Sequence, residues 1–489
     1  MRLLFTCTST LALSLCTAGA AYGQAGTPQV EPPQLPGVSA GPVPPSTPPV
    51  VTSGDPFAGG VPLPQVTPGV IDISFSDAID RGLRRNLGLV LSRETTLMSQ
   101  ANQQLARSVL LPNITAQVTE TVQQINLQAL GFMGNIPGIP AVVGPFSVFD
   151  ARAFLTQQVL SFPALYQNRS ASAGLRAARL SYQDARDVVV LAVAGLYLQA
   201  VASRARITSA QAQFTTAEAL YRRAVNMKAA GVVAGIDVLR AQVQMQAQQQ
   251  RVIFYTNQYQ IQKLNLAHAI GLATGQEFRI SETLPETPVP PITLEQALDQ
   301  AYRGRADYRS AREAVNSAEL SMKAANAQRY PAITLDANYG DIGRRPTESH
   351  GTFAVTGGVA VPVFQGGRIS ANVLQAEASL AQRRAEAEDL RAAIYYQVRT
   401  AFLNLTSAAE QVAVAKSSVQ LAAQQLTQSQ DRFSAGVTNN IEVIQSQEAV
   451  ATADDNLISS LYQYDFAKAS LARSLGGAEK LAKQFLGTK

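Results

Sequence analysis

The sequence has no tryptophan, two cysteines and two histidines among 489 residues, and only 15% of its residues are charged. Both cysteines, Cys7 and Cys16, sit near the N-terminus, so the rest of the chain offers no thiol for a disulfide, a nucleophile or a metal. His268 falls in the helical run LAHAIGL, where a packed core histidine is expected, and His350 falls in a polar loop. With no histidine beside a carboxylate cluster, no metal site, no cofactor and no enzymatic activity are expected. The glycine-rich stretch GGVAVPVFQGG, residues 357–367, carries a strand pattern and not the strand-to-helix setting of a phosphate loop. Lys and Arg number 40 against 35 Asp and Glu, a formal +5 with no basic block, which argues against a nucleic-acid partner. Long hydrophobic runs are also scarce. Past the N-terminus no window supplies about 18 consecutive apolar residues, and the best run, Val188–Val201, contains Gln199. Any membrane crossing would therefore be made by strands.

What is present starts with MRLLFTCTSTLALSLCTAGAAYGQ, where Arg2, an apolar core from Leu3 to Leu15 and small residues predict a signal peptide over 1–23. Ala21 and Gly23 supply a cleavage site before Gln24. Lipidation at Cys16 is the alternative, set against Leu15 in the preceding position, where a small residue is expected. Residues 24–70 hold thirteen prolines, from Pro28 to Pro68, and predict an extended, flexible segment with little to bury.

The remainder is duplicated. Laying 73–115 over 292–334 pairs Ile73 with Ile292, Asp80 with Asp299, Arg93-Glu94 with Arg312-Glu313, Pro112 with Pro331 and Ile114-Thr115 with Ile333-Thr334. Further on, Asp184 pairs with Asp389, Arg186 with Arg391, Tyr197 with Phe402 and Gly231 with Gly436. Two tandem pseudo-repeats, 71–291 and 292–478, are expected, with a tail over 479–489. Within each, a heptad pattern predicts a long helix. Leu405, Val412, Val419, Leu426 and Phe433 recur with Ala408, Ala415, Ala422 and Ser429; Ala200, Ile207, Phe214 and Tyr221 recur with Ser203, Ala210, Ala217 and Ala224. The pattern breaks at AGVVAGIDVLRAQ and AGVTNNIEVIQSQ and then resumes. Each copy is thus a helical hairpin, over about 167–274 and 366–476, with that motif at its tip. On the helices alone, a soluble periplasmic coiled-coil scaffold would suffice.

The segments between helices do not fit that simpler picture. NITAQVTETVQ and AITLDANYG alternate apolar and polar residues, as do the returning segments around Phe149–Leu155 and Phe353–Val361, predicting strands at about 113–125, 146–161, 332–341 and 352–363. Prolines mark every junction with the helices: Pro112 and Pro331 entering, Pro163 and Pro362 leaving. Such strands are long enough to cross a bilayer when tilted. Four of them cannot close a barrel, so several chains must combine, and three would give twelve strands.

Leader, tandem halves, heptad helices, proline-bounded strand pairs and the AGVxxxIDVLxAQ-like turn together resemble the TolC-type outer membrane efflux proteins over about 70–478. The resemblance implies a mainly α fold with a transmembrane β-barrel part: a homotrimer of twelve strands in outer membrane lipid, continuous with an α-barrel in the periplasm. It implies a passive duct served by an inner-membrane transporter and a periplasmic adaptor protein. An outer membrane duct for type I protein secretion would have the same fold. By the same resemblance Gly231, Val232, Gly436 and Val437 would form the adaptor-docking tips. Asp237 and Glu442 would line the periplasmic aperture; each also stands where an acid favours a helix N-terminus. The chain departs from the family pattern at Arg240 and Gln445, where a second acid is expected, and at Phe433 and Thr438, where a latching tyrosine and arginine are expected. Arg432 or Arg240 would be a substitute cation.

Overall fold

The structure is a computed structural model describing residues 56–131, 140–281 and 292–486. The expected leader with Cys7 and Cys16, the prolines from Pro28 to Pro49, the middle of the first strand-pair loop and residues 487–489 lie outside the described residues.

In chain order the elements are β1 (Ile71–Ile73), α1 (Phe75–Arg85), α2 (Leu87–Ser108), β2 (Asn113–Asn126), β3 (Val142–Leu160), α3 (Phe162–Ala229) and α4 (Gly235–Ala269). They continue with β4 (Phe278–Ile280), α5 (Leu294–Gly304), α6 (Ala306–Ala327), β5 (Ala332–Gly343), β6 (Ser349–Ala360), α7 (Arg368–Ser434), α8 (Asn440–Leu475) and α9 (Ala478–Leu486).

Helices α3 and α7 have 68 and 67 residues. At 1.5 Å per residue each is about 100 Å long. The shorter α4 and α8 fold back along them from the tips, while α2 and α6 pack on their strand-proximal halves. Small residues on the heptad seam make this possible: Ser203, Ala210, Ala217 and Ala224 on α3 and Ala408, Ala415, Ala422 and Ser429 on α7 are all buried. Without bulk there, backbones approach closely and the larger seam residues pack beside them. Helix α3 contains an 18-residue window apolar enough by composition for a membrane helix, but 56% of that window is buried inside the protein. Val189, Val190, Val193, Ala194, Tyr197 and Leu198 form the centre of the main core, with Ile73, Phe75, Ile79, Leu266 and Phe485.

A belt of short elements surrounds that core. β1 pairs in parallel with β4, from Ile71 opposite Phe278 to Ile73 opposite Ile280. Ser74 and Thr293 cap α1 and α5 with reciprocal boxes to Asp77 and Gln296. Asn86, fully buried, caps α2 at Gly88 N (3.0 Å) and donates to Phe57 O (2.7 Å). Three expectations change here. The described part of the proline-rich segment is not free: Val61 N donates to Arg85 O and Leu63 N to Gly271 O, which fastens it to the belt. The tail expected from 479 is mostly α9, because Ala482, Phe485 and Leu486 make one apolar face that is buried. His268 is exposed, not packed in the core, since the faces of α4 that bury Leu266 and Ala269 leave it outside, beside Gly59.

The other sheet is antiparallel, in the order β2-β3-β5-β6. Its register sets Ala116 beside Ala153, Ala153 beside Tyr339 and Tyr339 beside Phe353, with Ile114, Leu155, Ala337 and Val355 in the adjoining row. Alternation places all these side chains on one face. Ile114, Val118, Val122, Tyr339, Phe353, Val355 and Val359 on it are each at least 66% exposed. The opposite face carries Gln117, Thr119, Asp150, Arg152 and Asn338, with an Arg152–Asp150 ion pair (2.5 Å). The second strand pair is tighter than expected: β5 reaches Gly343 and β6 begins at Ser349, so His350 lies in a strand and pairs with Ile342.

The helix–strand junctions differ from one another. Pro112 and Pro331 stand directly before β2 and β5. Pro163 lies in the first turn of α3, whose N-cap Ser161 is the single residue separating it from β3. Pro362, by contrast, lies in a coil over 361–367 that ends at Gly366 and Gly367, both with positive φ. The fourth strand therefore stops at Ala360 and not at 363, because Pro362 has no N–H to continue the ladder.

Candidate functional site at the helical tips

Both tips close in the same way. Ala230 and Ala435 cap α3 and α7, and Gly231 (φ 73°) and Gly436 (φ 72°) follow in the left-handed region. Gly231 N donates to Lys228 O (2.9 Å) and Val232 N to Met227 O (2.9 Å); Gly436 N donates to Phe433 O (3.1 Å) and Val437 N to Arg432 O (3.0 Å). This is the Schellman pattern, which uses the helix's last free carbonyls and requires positive φ at the glycine. Val232 and Val437 follow at 61% and 71% exposed, on the outermost surface of each turn.

The acids come next. Asp237 and Glu442 both lie in the first turn of their helices, so each has the favourable position at a helix N-terminus. Each is also paired with an arginine. Asp237 meets Arg240 at 3.4 Å along α4, and Glu442 meets Arg432 at 3.5 Å across the tip, with the Thr438 hydroxyl donating to its other oxygen. Thus each acid is ion-paired with an arginine of its own hairpin. Gln445 is exposed. Asp237 and Glu442 are not brought into direct contact; the hairpins are joined instead by Asn440, whose amide donates to Asp237 O (3.0 Å). Phe433 is 2% exposed and packs with Leu220 and Val443, an apolar seal between the two hairpins just behind the tips.

Sequence reasoning missed a second layer of polar contacts farther from the tips. Glu448 on α8 accepts from Gln244 (2.7 Å), Gln248 (3.0 Å) and Arg251 (2.7 Å), all on α4. The three donors stand at i, i+4 and i+7, one face of one helix, which is the signal that was available. Arg206 and Ser209 of α3 likewise bond Asp455 (2.7 Å) and Asp454 (2.8 Å) of α8. The tip is therefore held by two ion-paired acids, an apolar seal and a polar row behind it. None of these groups is arranged for bond chemistry; they fix how close two hairpins lie.

Residues 297–477 match the outer membrane efflux protein family model. The chain resembles the TolC-type outer membrane efflux proteins. It is an outer membrane protein whose helices extend into the periplasm, and members of the family are channels. It is 24% identical over 339 residues to the pyoverdine export outer membrane protein OpmQ of Pseudomonas putida, covering 67% of this chain and 70% of that one. It is 22% identical over 425 residues to nodulation protein T of Rhizobium leguminosarum bv. trifolii, covering 84% and 87%. Among solved structures, the Campylobacter jejuni CmeC outer membrane channel superposes with a TM-score of 0.72 at 16% identity, covering 85% of this chain and 87% of that one. The Neisseria gonorrhoeae MtrE outer membrane channel superposes with a TM-score of 0.71 at 18% identity, covering 83% and 89%. Both share its mainly helical fold with a small sheet.

Proposed function

We propose that the chain is one third of a passive efflux duct. Three copies close a twelve-stranded barrel in the outer membrane and continue it as an α-barrel whose tips meet a periplasmic adaptor protein and an inner-membrane transporter. The observation that carries this reading is the four-stranded sheet with two unpaired edges, β2 and β6, and an outward row of exposed apolar side chains. In water, such a sheet would aggregate through its edges; in lipid, unpaired backbone groups are not tolerated, so the edges must pair with further copies. The face bearing Asp150, Arg152 and Asn338 then lines the lumen and the face bearing Ile114, Val118, Phe353 and Val355 meets lipid. The two tandem repeats, 71–291 and 292–478, explain why each protomer supplies two strand pairs and two hairpins.

At the far end, Gly231, Val232, Gly436 and Val437 form the adaptor-docking surface, and Asp237, Arg240, Glu442 and Gln445 border the periplasmic aperture. The cargo is small molecules handed on by the transporter. OpmQ is named for pyoverdine export, which favours small-molecule efflux over the type I protein-secretion duct that the same fold would serve. The test is native electrophoresis of the outer membrane fraction: a band at three times the protomer mass, converted to monomer on boiling, is expected. A soluble periplasmic monomer would refute the reading.

A further inference from the structure

Charge is sparse in the four-stranded sheet, and it is divided between the two faces. Among the described residues of β2, β3, β5 and β6, the charged side chains are Glu120, Asp150, Arg152, Asp336 and Asp341. Glu120 lies opposite Phe149 and Asp341 opposite Ala151, in the outward rows, whereas Asp150, Arg152 and Asp336 lie opposite Thr119, Gln117 and Thr156, in the inward rows. Arg152 is held on three sides. Its Nε and Nη2 donate to the two carboxylate oxygens of Asp150 (2.7 and 2.5 Å), and its Nη1 donates to Asn338 Oδ1 (3.4 Å). Its guanidinium stands 5.2 Å from the centroid of the Phe154 ring. Directly opposite on β5 is Gly340, where a Cβ would run into Ala151 O and lie 2.9 Å from Arg152 Cγ. The pair is fixed, yet at 24% and 23% exposed it is reachable from the inward face. Asp336 is exposed and makes no ion pair among the described residues.

We propose that Arg152, Asp150 and Asp336 set the charge preference of the barrel lumen, an assignment that rests on the duct reading above. Three copies place these residues around one lumen. One level holds compensated Arg152–Asp150 pairs, and about 13 Å along the strand toward the helices a second level holds bare Asp336 carboxylates. Two acids and one arginine leave a net negative charge on each copy's inward face, so cationic and neutral cargo passes this stretch more readily than cargo with excess negative charge. Arg152 sets the balance because it cancels one of the two acids. Phe154, Asn338 and Gly340 are positioning residues that keep its guanidinium on the wall beside Asp150. Twelve strands about 4.8 Å apart and tilted about 40° enclose a radius of about 12 Å. At that distance, in about 0.1 M salt, three unit charges change the cation-to-anion permeability ratio about two- to fourfold.

The test is the reversal potential of the purified full chain in planar bilayers across a KCl gradient. Every protein carries Asp237→Ala and Glu442→Ala, so that the tip acids do not contribute. His350 shares the inward face, in the row of Asp150 and Ile342, and recording at about pH 8 keeps histidine charge out of the comparison. Relative to this parent, Arg152→Gln is expected to raise the cation-to-anion permeability ratio about two- to fourfold. Asp150→Asn and Asp336→Asn should each lower it by a similar factor, and Asp150→Asn combined with Arg152→Gln should restore the parent value. Restoration by a second substitution separates charge from damage to the strand. Glu120→Gln, level with Asp150 but on the outward face, should leave the ratio unchanged. In a conducting parent, Arg152→Gln and Asp150→Asn that shift the ratio the same way or not at all overturn the assignment, as does an equal shift from Glu120→Gln. A parent that forms no channel overturns the duct reading itself, and the assignment with it.

Discussion

Replacing Gly436 tests the tip geometry most directly, because the structure separates backbone strain from crowding there. A Cβ built on Gly436 meets nothing within 4 Å, so no side chain has to move to accommodate it. The whole cost of Gly436→Ala is then the left-handed backbone at φ 72°, about 1–2 kcal/mol for an L-residue. Gly436→Asn should cost clearly less, since asparagine tolerates that region by bonding locally. The amides of Gly436 and Val437 are the ones that close the turn, onto Phe433 O and Arg432 O, so their hydrogen exchange reports its opening. A cost of 1–2 kcal/mol corresponds to about 5- to 30-fold faster exchange in the alanine variant, with asparagine between it and the wild type. If docking uses this turn, loss of adaptor binding should follow the same order. Alanine within twofold of the wild type, or asparagine no better than alanine, would refute the strain argument.

Asp237→Ala combined with Glu442→Ala removes both ion pairs at the tips, and single-channel conductance in planar bilayers should rise; an unchanged value would remove these acids from the aperture. Because the chain has no tryptophan, Val355→Trp and Val437→Trp each give a single-site probe. Lipids brominated in the acyl chains should quench the first, on the outward strand face, and leave the second, at the tip, unaffected; equal quenching would contradict the membrane placement. Asp187 accepts from Gly477 N (3.2 Å) and Ala478 N (2.9 Å), and burial pushes its carboxyl above the ordinary aspartate value of 3.8 despite those bonds and Arg473. The folded protein therefore holds that proton more tightly than the unfolded chain does. The cost of the buried charge is fully present at neutral pH and is relieved as pH falls through the folded pKa toward 3.8. The Tm of Asp187→Asn relative to the wild type should accordingly be greatest at neutral pH and decline as pH is lowered toward 3.8, and a difference independent of pH would show that the charge carries no such cost.

Much of this architecture could be read from periodicity alone. Ala408, Ala415, Ala422 and Ser429 announced a close-packed seam because small residues at a fixed heptad position do one thing in a helix pair, and all four are buried. Alternation identified the strands, and the glycines of the duplicated turn were legible because only positive φ explains them. Glu448 was not legible. Its partners lie about two hundred positions upstream, and a glutamate on a polar helix looks solvated until the facing helix is known. His268 was misread for a related reason: a histidine amid leucines and alanines looks buried, but helix phase and not composition decides which way it points. The end of β6 was overrun because apolar alternation continues through Val361 and Val363 after the hydrogen-bonded ladder has stopped.

That early stop at Ala360 has a mechanical consequence. Ser161 alone joins β3 to α3, so twist applied to α3 passes straight into the sheet. Between β6 and α7 lie seven residues over 361–367, ending in two glycines that have no neighbour within 4 Å of an added Cβ. One long helix is keyed directly to the sheet and the other is joined to it through a hinge. A load placed on the second hairpin is therefore passed to the strand register less directly than one placed on the first.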